Sequence, residues 1–163
     1  MAGDFSFDVV SDFDAQELRN ALDQARREIT TRYDFKGSLA EIVQEKDALA
    51  IHTDSELRAK AIRDLIESKA IRRNLSLKIF EWGPIEQAGG MTVRQRVELR
   101  RGLSDELARK ITKLIRDEHP KAKSQIQGDA VRVSAKSKDD LQKVIARLRE
   151  LDEAVPLQFT NYR

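Results

Sequence analysis

The chain states one structural pattern twice. From Phe5 to Phe80 an alternating strand, an amphipathic helix, two short apolar runs split by a polar turn, a second helix and a closing strand follow one another. From Val93 to Phe159 the same order recurs. Late in each half the registers agree at a constant offset of 82. Ile51 answers Val133, Ser55 answers Ser137, Ile62 answers Val144 and Ile66 answers Leu148. A fixed offset across a hairpin and a helix points to duplication of a βαββαβ unit, in which two helices cover one face of a four-stranded antiparallel sheet. Each half has roughly 70–75 residues, a size at which one hydrophobic core is just sufficient. The expected class is therefore α+β, with two tandem ferredoxin-like, RNP-like domains.

Local signals support the pattern. Phe5, Phe7 and Val9 alternate with Ser6 and Asp8, the period of a strand. Asp14 with Glu17 reads as a capping box, and Leu18, Ala21, Leu22, Ala25 and Ile29 then make one helical stripe. Leu39–Val43 and Ala48–Ile51 flank a polar turn. Thr53 with Glu56 reads as a second helix start, and Leu75, Leu77 and Ile79 as a closing strand. Gly83, Pro84, Gly89 and Gly90 crowd into Trp82–Gly90, which reads as the joint between units. In the second half Ser104 starts a helix that His119-Pro120 ends, Gln127-Gly128-Asp129 turns a hairpin, and Ser137 precedes Leu141, Val144, Ile145 and Leu148. With no exchange of strands the domains are 1–82 and 91–163, with 83–90 as linker.

Composition closes off several chemistries. There is no cysteine, hence no disulfide, thiolate nucleophile or cysteine-ligated metal. Met1–Val10 lacks the features of a signal peptide and no apolar run approaches a bilayer span, so a cytoplasmic protein is expected. Phosphate-loop and dinucleotide glycine motifs are missing. His52 and His119 stand apart from any acidic partner at ligand spacing, so no metal or other cofactor is expected. No nucleophile, base and oxyanion donors assemble, and the chain reads as a non-enzyme. Charge is uneven: residues 1–60 hold eight basic against thirteen acidic side chains, and residues 94–123 ten against five. A basic segment of that kind suits a phosphate-bearing partner.

Alternation also says which residues face away from the helices. Inward Val131 and Val133 turn Arg132 and Ser134 outward, inward Ile126 turns Gln125 and Gln127 outward, and Arg94 and Arg96 join them if Val93, Val97 and Leu99 are inward. Such a face carries three arginines and several amides, suited to phosphate oxygens and base edges. Base stacking as in RNA-binding sheets needs aromatic side chains on the central strands, and Ala48–His52 and Ala130–Ser134 have none. Arg32-Tyr-Asp-Phe-Lys36-Gly37 gathers cations, rings and a glycine in one loop. The segment Phe159-Thr-Asn161-Tyr162-Arg163 is aromatic and polar at once.

These segments together carry a resemblance. Phe5-x-Phe-Asp8-Val-Val-Ser11, Arg32-Tyr-Asp-Phe-Lys-Gly37, Gln125-Ile-Gln-Gly128-Asp129 with Arg132-Val133, Lys138-Asp-Asp-Leu-Gln142 and Gln158-Phe-x-Asn-Tyr-Arg163 resemble the YajQ family of small bacterial proteins, in order and over essentially the whole chain. The resemblance implies two ferredoxin-like domains that exchange their first strands. One is then 11–101, completed by strand 92–101, and the other is 1–10 plus 102–163. It further implies a non-enzymatic nucleotide-binding protein, with a guanine nucleotide or cyclic di-GMP as ligand and a regulatory role. RNA or a transcription regulator is a further partner, and an RNA-binding or protein-interaction adaptor is the alternative. Chemistry laid on the matching segments nominates Lys36, Gln125, Gln127, Arg132, Asn161 and Tyr162 as nucleotide-binding residues.

Overall fold

A computed structural model describes residues 4–163; residues 1–3 of the expected range 1–10 lie outside them. The chain divides into two compact units, one running through Asp12 and resuming at Arg101–Arg163, the other spanning Phe13–Arg100. Among the described residues, four α-helices and two four-stranded antiparallel sheets make a mixed α+β architecture, compatible with two ferredoxin-like units.

In the unit Phe13–Arg100 the strands are β2 (Ala40–Gln44), β3 (Ala48–Thr53), β4 (Phe80–Ala88) and β5 (Thr92–Leu99), in the order β2-β3-β5-β4. Helices α1 (Ala15–Thr31) and α2 (Glu56–Arg72) supply the second layer. The stripe of α1 is buried as its spacing requires, with Leu18, Ala21, Leu22 and Ala25 fully enclosed. Asp14 caps α1 by accepting from the N–H groups of Gln16 and Glu17. The cap is one-sided, because the Glu17 carboxylate instead meets Arg73 at 3.2 Å. The start of α2 differs from expectation. Ser55 is the cap and accepts from Arg58 N–H at 3.2 Å. Thr53 is buried in β3, and its hydroxyl donates to the Leu39 carbonyl.

Two expectations need correction here. Leu77–Ile79 is a short 3-10 turn and the closing strand is β4, beginning at Phe80. The supposed joint Trp82–Gly90 is that strand together with its hairpin loop. The register between β4 and β5 slips between Trp82 and Ile85, a bulge that takes up Gly83 and Pro84. Proline, which lacks the ladder N–H, is tolerated because β4 is an edge strand. A Cβ on Gly83 would lie 2.8 Å from the Arg96 carbonyl oxygen, a backbone atom with no room to give. The Gly83 carbonyl accepts from buried Gln95 Nε2 at 2.9 Å. Gly90, at φ +69°, turns the loop. Gly83→Ala is expected to destabilise the protein by about 1–3 kcal/mol, read as a lower urea midpoint with unchanged slope.

The other unit repeats the plan. Its strands are β1 (Phe5–Val10), β6 (Lys123–Gln127), β7 (Ala130–Ala135) and β8 (Gln158–Thr160), in the order β6-β7-β1-β8. Helices α3 (Asp105–Glu118) and α4 (Lys138–Arg149) are capped by Ser104 and Ser137. The offset of 82 is exact in the structure, where β3 and β7, and the starts of α2 and α4, differ by that number. The partner of each first strand is the point of interest. β1 sits between β7 and β8, and β5 sits between β3 and β4. Phe7, Val9, Val131 and Val133 are fully buried against Ile111, Ile115, Val144 and Leu148.

Candidate functional site

The helix-free faces of the two sheets differ in charge, and charge decides which suits an anion. On the sheet of the unit Phe13–Arg100, a shallow hollow of about 790 Å³ is lined by Glu41, Glu45, Glu81, Glu86 and Glu98 along with Arg94, Arg96 and His52. Arg96 is held between Glu98 at 2.6 Å and Glu45 at 3.1 Å. Both carboxylates raise its pKa above the usual arginine value, Glu98 most. The surplus of carboxylates would repel a phosphate, each by roughly 0.5–1 kcal/mol at 5–8 Å in near-aqueous surroundings. The expected trio Arg94, Arg96 and Arg132 does not form, because β5 and β7 belong to different sheets.

The sheet of the other unit is different. Its cross-strand register places Gln125, Arg132, Asp8 and Thr160 in one row. Lys123, Ser134 and Ser6 make a second row, while Gln127 pairs with Ala130 and Val10 with Gln158. Arg132 donates from Nε to Asp8 Oδ1 at 3.0 Å, and Asn161 Nδ2 donates to the other oxygen of the same carboxylate at 3.0 Å. Asp8 is therefore held below the ordinary carboxylate range, chiefly by the Arg132 hydrogen bond, against the opposing effect of burial, with help from Asn161 and the Arg163 charge. Arg132 is raised in turn by Asp8. Asp8 thus holds the Nε edge of the guanidinium.

A depressed pKa is also a stability statement. The contribution of Asp8 is present above its unfolded-state value, near 3.8. It is lost as pH falls through the lower native value. Asp8→Asn is expected to lower the urea midpoint at pH 7, and the gap between wild-type and variant is expected to narrow progressively as pH falls below about 3.8 and to close only once the native carboxylate is itself protonated. Parallel curves over that range would rule out this linkage.

The tail beyond β8 decides what else faces the row. Asp8 pairs with Thr160, whereas Ser6 exchanges both backbone hydrogen bonds with Arg163, at 3.1 and 3.0 Å. Two steps along β1 are matched by three along the tail, so one residue is extra, and Asn161 at φ +55° takes it up as a bulge. The bulge reverses the alternation after Thr160. Arg163 thereby joins Ser6 and Asp8 on the helix-free face. Tyr162 turns to the opposite side, where its ring lies 6.2 Å from that of Phe7.

The nominated residues therefore part company. Gln125, Gln127, Arg132 and Asn161 share the helix-free face of one sheet. Tyr162 turns to the other side of that sheet, beside the Phe7 ring. Lys36 belongs to the other compact unit, in an exposed turn after the 3-10 helix Tyr33–Phe35. In that turn Arg32 makes a two-pronged ion pair with Asp34, at 2.9 and 2.7 Å, and lies 5.4 Å from the Phe35 ring centroid. Its fork is therefore already occupied. Asp8 was not singled out from the sequence. The signal for Asp8 was its place in the alternating strand, but its partner lies 124 residues away. Among the described residues no group of acidic and histidine side chains is gathered to hold a metal ion, and no helix is long and apolar enough to cross a membrane.

The whole chain is similar to known proteins. Residues 5–163 match the family described as Nucleotide-binding protein YajQ-like. A nucleotide-binding protein of Thermosynechococcus vestitus is 58% identical over 163 residues, covering all of both chains. Similar proteins of Trichodesmium erythraeum and Roseiflexus sp., each named nucleotide-binding protein, are 56% and 53% identical, again over the full length of both chains.

Proposed function

Because the chain belongs to the YajQ-like family of nucleotide-binding proteins, we propose that it is a non-enzymatic nucleotide receptor whose ligand is a guanine nucleotide such as cyclic di-GMP, with a regulatory role. We place the ligand on the face formed by Gln125, Gln127, Arg132 and Asn161. The observation that carries this reading is the Asp8-braced guanidinium of Arg132, with amides beside it and Arg163 adding positive charge. A guanidinium fork matches both phosphate oxygens and the O6/N7 edge of guanine, which is why a guanine nucleotide fits better than an adenine one. The same reading takes the two units as ferredoxin-like domains with exchanged first strands. Its support is the seating of β1 between β7 and β8 and of β5 between β3 and β4.

RNA binding by base stacking is less well supported. The helix-free face of β1 and β7 presents Ser6, Asp8, Arg132 and Ser134 and no ring, while Phe5, Phe7 and Phe159 pack with the core beneath it. Isothermal titration with GMP, GTP, cyclic di-GMP and ATP tests the proposal. Saturable heat with guanine preference is expected, with a shallow salt dependence suited to the few phosphates of a small ligand. Absence of heat and of competition up to millimolar ligand would refute it. A steep salt slope with single-stranded RNA would favour an RNA adaptor instead.

A further inference from the structure

β6 ends its sheet, and it lies beside a helix with a groove between them. Among the described residues, the order β6-β7-β1-β8 leaves one side of β6 without a neighbouring strand. The hairpin from β6 to β7 has a two-residue loop, Gly128-Asp129, with Gly128 at φ +61°. Such a loop closes on a hydrogen-bonded pair, here Gln127 with Ala130. Hydrogen-bonded pairs alternate with non-bonded ones along an antiparallel ladder. The backbone groups of Ser124 and Ile126 therefore point away from β7, toward the open edge. Alongside that edge runs a groove of about 670 Å³, lined by Thr112 and Arg116 of α3, by Pro120 and Ala122, and by Ser124 and Ile126.

Edge strands are usually protected against pairing, and this one is only partly so. Ile126 is 41% exposed, an aliphatic side chain at the mouth of the groove. The charged residues that line the groove, Arg116 and Lys123, are both basic. Among the described residues Arg116 pairs with its neighbour Asp117 alone, at 3.9 Å, and Lys121 and Lys123 are exposed nearby. Glu118, the other acid at the end of α3, is taken by Arg147 at 2.9 Å.

We propose that β6 and the α3 groove form a docking site for an extended acidic peptide of a partner protein, which adds a fifth strand to the sheet. Peptides that extend a sheet edge gain main-chain hydrogen bonds for affinity and use alternate side chains for specificity. Here the alternate residues facing the groove would be apolar, against Ile126, Ala122 and Pro120, and acidic residues would meet Arg116 and the two lysines. The site lies on the edge of the sheet, whereas the nucleotide face uses its helix-free surface, so the two readings stand or fall separately.

Panning a random dodecapeptide phage library on the full-length protein tests it, with selected peptides then synthesised and titrated by fluorescence anisotropy and amide NMR. The expected result is a consensus alternating apolar with aspartate or glutamate residues, and shifts with slowed exchange at the Ser124 and Ile126 amides. Ile126→Pro should weaken binding at least tenfold, and Arg116→Glu about fivefold. Thr112→Trp, which fills the groove from the helix without touching the ladder, should abolish binding even if the proline variant folds poorly. Failure to enrich a consensus overturns the proposal, as does binding unchanged by Arg116→Glu and Thr112→Trp. Concentration-dependent protection of β6 in the protein alone overturns it in favour of a second copy, and displacement of the peptides by single-stranded RNA overturns it in favour of nucleic acid.

Discussion

Arg132→Ala should lower affinity for guanine nucleotides about 10–100-fold, the loss of roughly 1.4–3 kcal/mol that one two-pronged arginine contact supplies. The expectation rests on how the guanidinium is held. Asp8 takes Nε at 3.0 Å and is itself pinned by Asn161, so Arg132 need not be ordered again when a ligand arrives. Arg132→Lys should recover little, because an ammonium keeps the charge but cannot present two parallel donors. Asp8→Asn should weaken binding less than Arg132→Ala, by loosening the fork without removing it. The same titrations separate position from charge: Lys36→Ala, in the other compact unit, should leave affinity near that of the unaltered protein. If Arg132→Ala binds normally while Lys36→Ala does not, the ligand belongs at the Arg32–Gly37 turn, where Tyr33 is 90% exposed, and the proposed face is wrong.

The second large effect is on stability. Phe7→Ala should cost about 3–5 kcal/mol, the range for removing a fully buried aromatic side chain. Phe7 is completely enclosed, lies edge-on to Phe159 at 5.8 Å and also meets the Tyr162 ring. It sits on β1, the strand that joins β7 to β8. A single core of this size rarely exceeds a few kcal/mol of stability. The change should therefore shift the urea midpoint by a large fraction of its value, and near-UV signals should report loss of packing in this unit. A shift below about 1 kcal/mol would mean that β1 contributes little to that core.

Elements were legible because their signals are local. The stripe on α1 and the caps at Asp14, Ser104 and Ser137 each depend on residues within a turn or two. A repeated offset of 82 then fixed the order of elements in both halves. The misreadings share one cause. Gly83-Pro84 has the composition of a turn, but an edge strand absorbs both residues in a bulge, because there only one side of the backbone must pair. Period-two alternation carried past Thr160 would put Tyr162 on the face of Asp8, and the left-handed Asn161 reverses that count.

The site was less legible than the fold for the same reason. Arg132 was visible as an outward residue between two buried valines, yet nothing near it in sequence names Asp8 as its partner, since side chains that meet across strands carry no mutual signal in one sequence.

Periodicity and capping within the chain alone were enough to set two sandwiches of sheet and helices, the faces that their strands bury, and the outward aim of Arg132 and Gln125. Only the folded arrangement decided which strand lies beside which: β1 against β7, β5 against β3. A period of two tells a strand which side to bury and is silent about its neighbour. That choice brings Asp8 to Arg132 and sends Arg94 and Arg96 to a sheet face rich in glutamate.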